Sequence, residues 1–126
     1  MSETVADKVR SRLDAGFTYK PDEGEDWRSH IEAVRSGHEW LDDCDGYALS
    51  AAQCAIEDFG VKPENVAIAY CLVGGAGHLA CLITEDGVTR SVDTASTAAW
   101  EWSSLGYQWI SAMRLSEPGV WRKVEV

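Results

Sequence analysis

Between Tyr47 and Val92 the spacing of apolar residues changes once, from a helical period to a period of two, and that change points the chain to an α+β fold. Ala48, Ala52, Ala55, Ile56 and Phe59 recur on one helical face, and Gly60 follows where a left-handed residue ends a helix. From Val66 the pattern alternates, with Val66, Ile68, Tyr70 and Leu72 on one side and Ala67, Ala69, Cys71 and Val73 on the other. The stretch Gly74-Gly75-Ala76-Gly77 breaks that run. A second strand is expected from His78 to Thr84 and a third from Val88 to Val92, joined by Glu85-Asp86-Gly87. Asp-Gly is the strongest short hairpin signal, and the small residues of the helix imply that it lies close on the sheet.

The hairpin has a register that can be worked out from the turn. If Asp86 and Gly87 are the two central residues, Glu85 pairs with Val88 and Asp93 falls opposite Ala80. Asp93 then shares a sheet face with His78, one diagonal step away. A slip of one residue would turn Asp93 to the other side. Leu79, Cys81 and Ile83 point the opposite way, into the core.

The rest of the chain is less regular. Val5, Val9 and Leu13 predict an opening helix from about Thr4 to Ala15, stopped by Gly16. Pro21-Asp22-Glu23-Gly24-Glu25-Asp26 reads as a loop, and a short helix is expected from Trp27 to Arg35, ending at Gly37. Trp40-Leu41-Asp42-Asp43-Cys44-Asp45-Gly46 is acidic and turn-like. The aromatic-rich end, from Trp100 to Trp121, predicts one helical turn and one or two further strands.

With 126 residues, 45% of them apolar, residues 1–126 form a single domain with a conventional core. The net charge of −10 argues against nucleic acid and anionic membrane surfaces as partners, since both attract a basic footprint. No apolar run reaches the roughly 18–20 residues of a membrane span, and Met1-Ser2-Glu3-Thr4-Val5 lacks a signal-peptide pattern, so a cytoplasmic location is expected. There the four cysteines are thiols, and Cys44, Cys54, Cys71 and Cys81 lack the C-x-x-C spacing of a zinc knuckle.

Three residues stand in an order suited to thiol acyl transfer: Cys44 opening a helix, His78 opening a strand and Asp93 closing the next. Backbone N–H groups and the helix dipole favour a thiolate at a helix N-terminus. A neighbouring imidazole can take and return the proton, while a carboxylate on its other nitrogen sets the tautomer. Cys54, Cys71 and Cys81 read as packing residues. Against this chemistry stand Asp42, Asp43 and Asp45, whose charge raises a neighbouring thiol. Asp43 or Asp45 caps the helix, or the two together offer oxygen ligands to calcium.

The motifs Asp43-Cys44-Asp45-Gly46-Tyr47-Ala48, Gly77-His78-Leu79 and Val92-Asp93 resemble those of the bacterial transglutaminase-like cysteine proteinases, within the papain-like and transglutaminase-like superfamily. Tyr19, Asp22, Asp26-Trp27 and Glu32 resemble that family's lead-in, and Tyr107-Gln108-Trp109 with Trp121 its tail. The resemblance implies a papain-like fold with N-terminal helices and a nucleophile helix packed on an antiparallel sheet. It implies Cys44 as nucleophile, His78 as general base and acid, and Asp93 as orienting carboxylate, acting on a protein or peptide substrate. Some members bind calcium through acids beside the cysteine, at positions matched by Asp43 and Asp45, whereas Gly46 stands where a further acid is usual. Trp40 is an oxyanion candidate through its indole N–H, by likeness to a tryptophan of transglutaminases, and His38 is a second; His30 reads as a surface residue. The short chain resembles compact forms encoded in phage genomes. Transamidation at the same site, or a silent protein-binding module presenting some of the six tryptophans, are the alternatives.

Overall fold

The computed structural model describes residues 4–15, 17–19, 40–42, 44–96 and 98–124, with the backbone alone at 17–19, 40–42, 44 and 45. The expected Pro21–Asp26 loop and the Trp27–Arg35 helix lie outside the described residues.

Helix α1 spans Val5–Asp14 and begins in a reciprocal cap. Thr4 Oγ1 accepts from the Asp7 N–H at 3.1 Å, and the Asp7 carboxylate accepts from the Thr4 N–H at 3.1 Å. Its Ala6, Val9 and Leu13 are fully buried. Helix α2 spans Cys44–Glu57, so the nucleophile candidate is its first residue. Gly60 follows at φ 69°, the left-handed conformation expected of it.

Two short strands, β1 (Phe17–Tyr19) and β2 (Trp40–Asp42), pair in parallel ahead of α2. Trp40–Asp42 is therefore extended where the acidic composition suggested a turn. Its partner lies across the intervening residues 20–39, and the local pattern carries no sign of so distant a pairing.

Five further strands follow: β3 (Val66–Val73), β4 (Ala76–Glu85), β5 (Val88–Val92), β6 (Gln108–Arg114) and β7 (Trp121–Lys123). They form one antiparallel sheet in the order β5-β4-β3-β6-β7. The β3–β4 turn is tighter than the glycine stretch suggested. Gly74 and Gly75 alone make it, at φ 59° and 84°, while Ala76 and Gly77 already belong to β4. Gly77 has a separate reason to be glycine, since a Cβ there would meet the Tyr70 hydroxyl at 3.1 Å. Asp86 and Gly87 turn β4 into β5 with positive φ, and Glu85 pairs with Val88 as the register requires.

The sheet separates two apolar layers. Val66, Ile68, Leu79, Cys81, Ile83 and Val92 pack with α1 and α2 through Val9, Leu13, Tyr47, Ala48, Ala51, Ala52 and Ala55. Ala69, Cys71, Ala80 and Leu82 face the other way, toward Trp109. The expected inward direction of Leu79, Cys81 and Ile83 holds. The alanines of α2 bring its axis close to the sheet, and no described helix is long and apolar enough to cross a membrane.

Leu13 is completely buried between α1 and this layer. Leu13→Ala should lower unfolding free energy by about 2–5 kcal/mol, read as a fall in the urea midpoint at unchanged slope. A loss below about 1 kcal/mol would mean that α1 is peripheral to the core.

Candidate active site

β4 is ten residues long and β5 five, so the two part company early. Their last pair is Cys81 with Val92, and residues 76–80 of β4 have no partner on that side among the described strands. Asp93, the next residue after β5, turns across the open edge to meet His78. Its Oδ1 lies 3.2 Å from His78 Nε2. The diagonal contact derived from the turn is thus present. Leaving Nε2 to the carboxylate makes Nδ1 the nitrogen available to a thiol.

Asp93 is fully buried, and His78 is only 8% exposed. A buried carboxylate needs donors, and Asp93 has several. Ser91 Oγ donates to Oδ2 at 2.6 Å, while the Ala95 N–H and the Tyr107 hydroxyl both donate to Oδ1 at 2.9 Å. Burial alone would push the Asp93 carboxyl up. The hydrogen bonds from His78 and Ser91, the imidazole charge and the Tyr107 hydroxyl outweigh it and hold the group below its ordinary value of 3.8. Tyr107 is raised in turn by burial and by the Asp93 charge, which keeps it a neutral donor.

A second polar chain runs behind the pair. Arg10 of α1 donates from Nη1 to the Asp93 carbonyl oxygen at 2.9 Å and from Nη2 to the Ser96 carbonyl oxygen. Its Nε lies 3.3 Å from Asp14 Oδ2, an ion pair without hydrogen-bond alignment. The other Asp14 oxygen accepts from the Tyr47 hydroxyl at 2.6 Å. Tyr47 is one helical turn beyond Cys44, so α1 connects the Asp93 turn to the first turn of α2. Burial, then the Asp14 hydrogen bond, pushes the Tyr47 phenol well above its ordinary value.

The structure therefore brings His78 and Asp93 together and places Cys44 by its backbone at the start of α2. Trp40 begins β2 and Asp45 is the second residue of α2, both described by backbone only; Asp43, His38 and His30 lie outside the described residues. Cys54, Cys71 and Cys81 are buried thiols, as their place in the pattern implied, and burial raises Cys81 far above its ordinary value. Among the described residues no group of three acids, histidines or cysteines could hold a metal ion. Calcium takes six to eight oxygens, and the buried Gly46 offers no side chain.

Reading along the sequence missed Ser91, Tyr107 and Arg10. Ser91 was accessible, being two residues before Asp93 on the same face of a strand. Tyr107 and Arg10 come from distant segments with no periodic signal for the contact.

No family model matches the chain, and no curated protein does. Solved structures do. Legionella pneumophila LapG in an EGTA-treated form superposes with a TM-score of 0.71 at 17% identity, covering 97% of this chain and 67% of that one. The calcium-bound LapG structure gives 0.68 at 18% identity, covering 87% and 64%. A further LapG structure gives 0.67 at 18% identity over the same shares. The chain shares their fold. It spans about two thirds of the LapG structures' length, and these bacterial neighbours lend no support to a phage-encoded form.

Because Asp93 is held below its ordinary value in the folded protein, it contributes stability at pH values above the unfolded carboxyl's pKa, and loses it as pH falls through the folded one. Urea midpoints measured from about pH 6 down to pH 2 should fall more steeply for the native chain than for Asp93→Asn. Parallel curves would show that the buried carboxylate is not held by its donors.

Proposed function

We propose that the protein is a thiol hydrolase that cleaves an amide or peptide bond through Cys44, His78 and Asp93. The observation that carries this reading is the buried His78–Asp93 pair, bonded through Nε2 at the open edge of β4. A carboxylate bonded to one imidazole nitrogen fixes which nitrogen faces the nucleophile and stabilises the imidazolium that forms.

Connectivity supports Cys44 as the third member. After α2 the chain re-enters the sheet at Val66, which pairs with Ile83. In the first turn of α2 Tyr47 bonds Asp14, whose ion-pair partner Arg10 bonds the Asp93 carbonyl oxygen, so the start of α2 is tied to the turn that carries Asp93. The fold shared with LapG, a bacterial transglutaminase-like cysteine protease, supports the same assignment.

In the proposed reaction His78 takes the Cys44 proton, and the thiolate adds to the substrate carbonyl. The resulting oxyanion is held by the Cys44 N–H, with the Trp40 indole N–H as second donor. His78 returns its proton to the leaving amine as the C–N bond breaks, leaving a thioester. Water, deprotonated by His78, then releases the acid and restores the thiol. Asp42, Asp43 and Asp45 oppose thiolate formation, and the imidazolium together with the α2 N-terminus offsets them. No step requires a metal; calcium at Asp43 and Asp45 remains an expectation from family likeness. The substrate is proposed to be a protein or peptide, and an amine in place of water would make the same site a transamidase.

One observation favours the silent binding module. Trp100 and Trp121 are exposed, at 56% and 40%, as interface residues would be. Thiol reactivity separates the two readings. Cys54, Cys71 and Cys81 are buried, so selective labelling of Cys44 alone decides nothing. Iodoacetamide should alkylate Cys44 rapidly at about pH 6, where a free thiol is mostly protonated, and His78→Ala should slow this at least about tenfold. A Cys44 rate at that pH no higher than that of an ordinary thiol, or one indifferent to His78→Ala, would leave the binding module.

A further inference from the structure

We propose that Tyr107 is a positioning residue for the His78–Asp93 pair, its hydroxyl setting the carboxylate and its ring holding the imidazole against it. The proposal rests on the thiol-hydrolase reading above for its catalytic meaning, and on geometry for its existence.

Tyr107 hydrogen-bonds Asp93 Oδ1 at 2.9 Å, the same oxygen that faces His78 Nε2 at 3.2 Å. Its ring meets the His78 ring edge-on, with centroids 5.9 Å apart and planes at 83°. The Ser91 hydroxyl and the Ala95 N–H also donate to the carboxylate. Tyr107 contacts both partners at once. A side chain bonded to the carboxylate and packed on the imidazole limits how far the two can rotate apart.

The side chain is itself backed by a firm support. Tyr107 packs on Trp109 with centroids 5.4 Å apart, and Trp109 packs on Trp102 at 5.7 Å. The Trp109 indole N–H donates to the Trp102 carbonyl oxygen at 3.3 Å, and Trp109 is a buried residue of β6. This aromatic row transmits the position of β6 to the edge of β4. Tyr107 is half-buried and lies over a pair that is nearly closed to solvent.

The charge state suits the task. Among the described residues, the titratable and charged groups that act on the pair are Tyr107 itself, Cys71 on β3, whose Sγ lies 3.6 Å from the His78 carbonyl oxygen, Arg10 on α1, bonded to the Asp93 carbonyl, and Tyr47 and Cys81 on α2 and β4. A neutral phenol can donate to Asp93 without cancelling the charge that the imidazole needs. A lysine or arginine donating to the same oxygen would compete with His78 for it.

The test uses the whole chain with Tyr107→Phe, Tyr107→Leu and Val66→Ala, read by ¹⁵N shifts of the His78 ring and by Cys44 alkylation between about pH 5 and pH 8. Tyr107→Phe removes one donor from Asp93 and keeps the ring. It should move the ¹⁵N signals and shift the acid limb of the alkylation profile down by about half a pH unit, because the less-solvated carboxylate favours the imidazolium–thiolate pair. Tyr107→Leu should also lower the maximal rate about tenfold, since the imidazole loses its wall. Val66→Ala, in the layer packed on the two helices, should lower the urea midpoint and leave the ring signals and the limb in place. Native-like signals and profile in Tyr107→Phe would overturn the proposal, as would equal changes in Val66→Ala. Moved ring signals in Tyr107→Phe, with Cys44 unreactive in the native chain, would uphold the positioning and sink the thiol-hydrolase reading alone.

Discussion

A single buried carboxylate organises this molecule. Asp93 has no exposed surface, and an unpaired charge in such a place would be among the most costly features a small domain could carry. Its donors come from separate parts of the chain: His78 from β4, Ser91 from β5, the Ala95 N–H from the following turn and Tyr107 from the approach to β6. Together they offset the cost of burying the charge. The carboxylate therefore couples the β4–β5 hairpin to the far half of the sheet, whose strands are hydrogen-bonded to it through β3.

What could be read from the sequence was whatever depends on near neighbours. The Val5, Val9 and Leu13 face of α1, the alanine face of α2 and the Asp86-Gly87 turn are local patterns. The turn fixes a register that reaches to Asp93, six residues beyond Gly87. The β1–β2 pairing was not legible, because parallel strands joined across residues 20–39 leave no turn between them to recognise. Nor was the bulge in β6. There the register against β3 skips Ile110, so the face that each aromatic residue takes cannot be counted from Trp109 onward by simple alternation. Tyr107, just before that strand, was recognisable only as part of a family-like tail.

The candidate site divides in the same way. His78 and Asp93 were legible because one tight turn fixes both, whereas Cys44 was placed by its helix start alone. The Arg10–Asp14–Tyr47 chain gives the opening helix, so far from the hairpin in sequence, a second role beside its core packing. It bonds the turn after Asp93 at one end and the first turn of α2 at the other. The two elements that carry the proposed triad are thus braced by a third, which supplies none of its members.

The way that brace is attached bears on the chemistry. Arg10 is the nearest described cation to Asp93, and a guanidinium normally seeks a carboxylate in a two-pronged bond. Here it binds the main-chain carbonyl oxygens of Asp93 and Ser96 instead, and its own carboxylate partner is Asp14. The Asp93 side chain is left with neutral donors and one imidazole. Neutral donors remove the penalty of burial while leaving most of the charge in place, so His78 is the group that gains when it becomes protonated. Had Arg10 taken the carboxylate, Asp93 would be equally buried and equally satisfied, but its field at His78 would be largely cancelled. Burial alone could be met by either arrangement; the one present keeps a negative charge facing an imidazole at the open edge of β4.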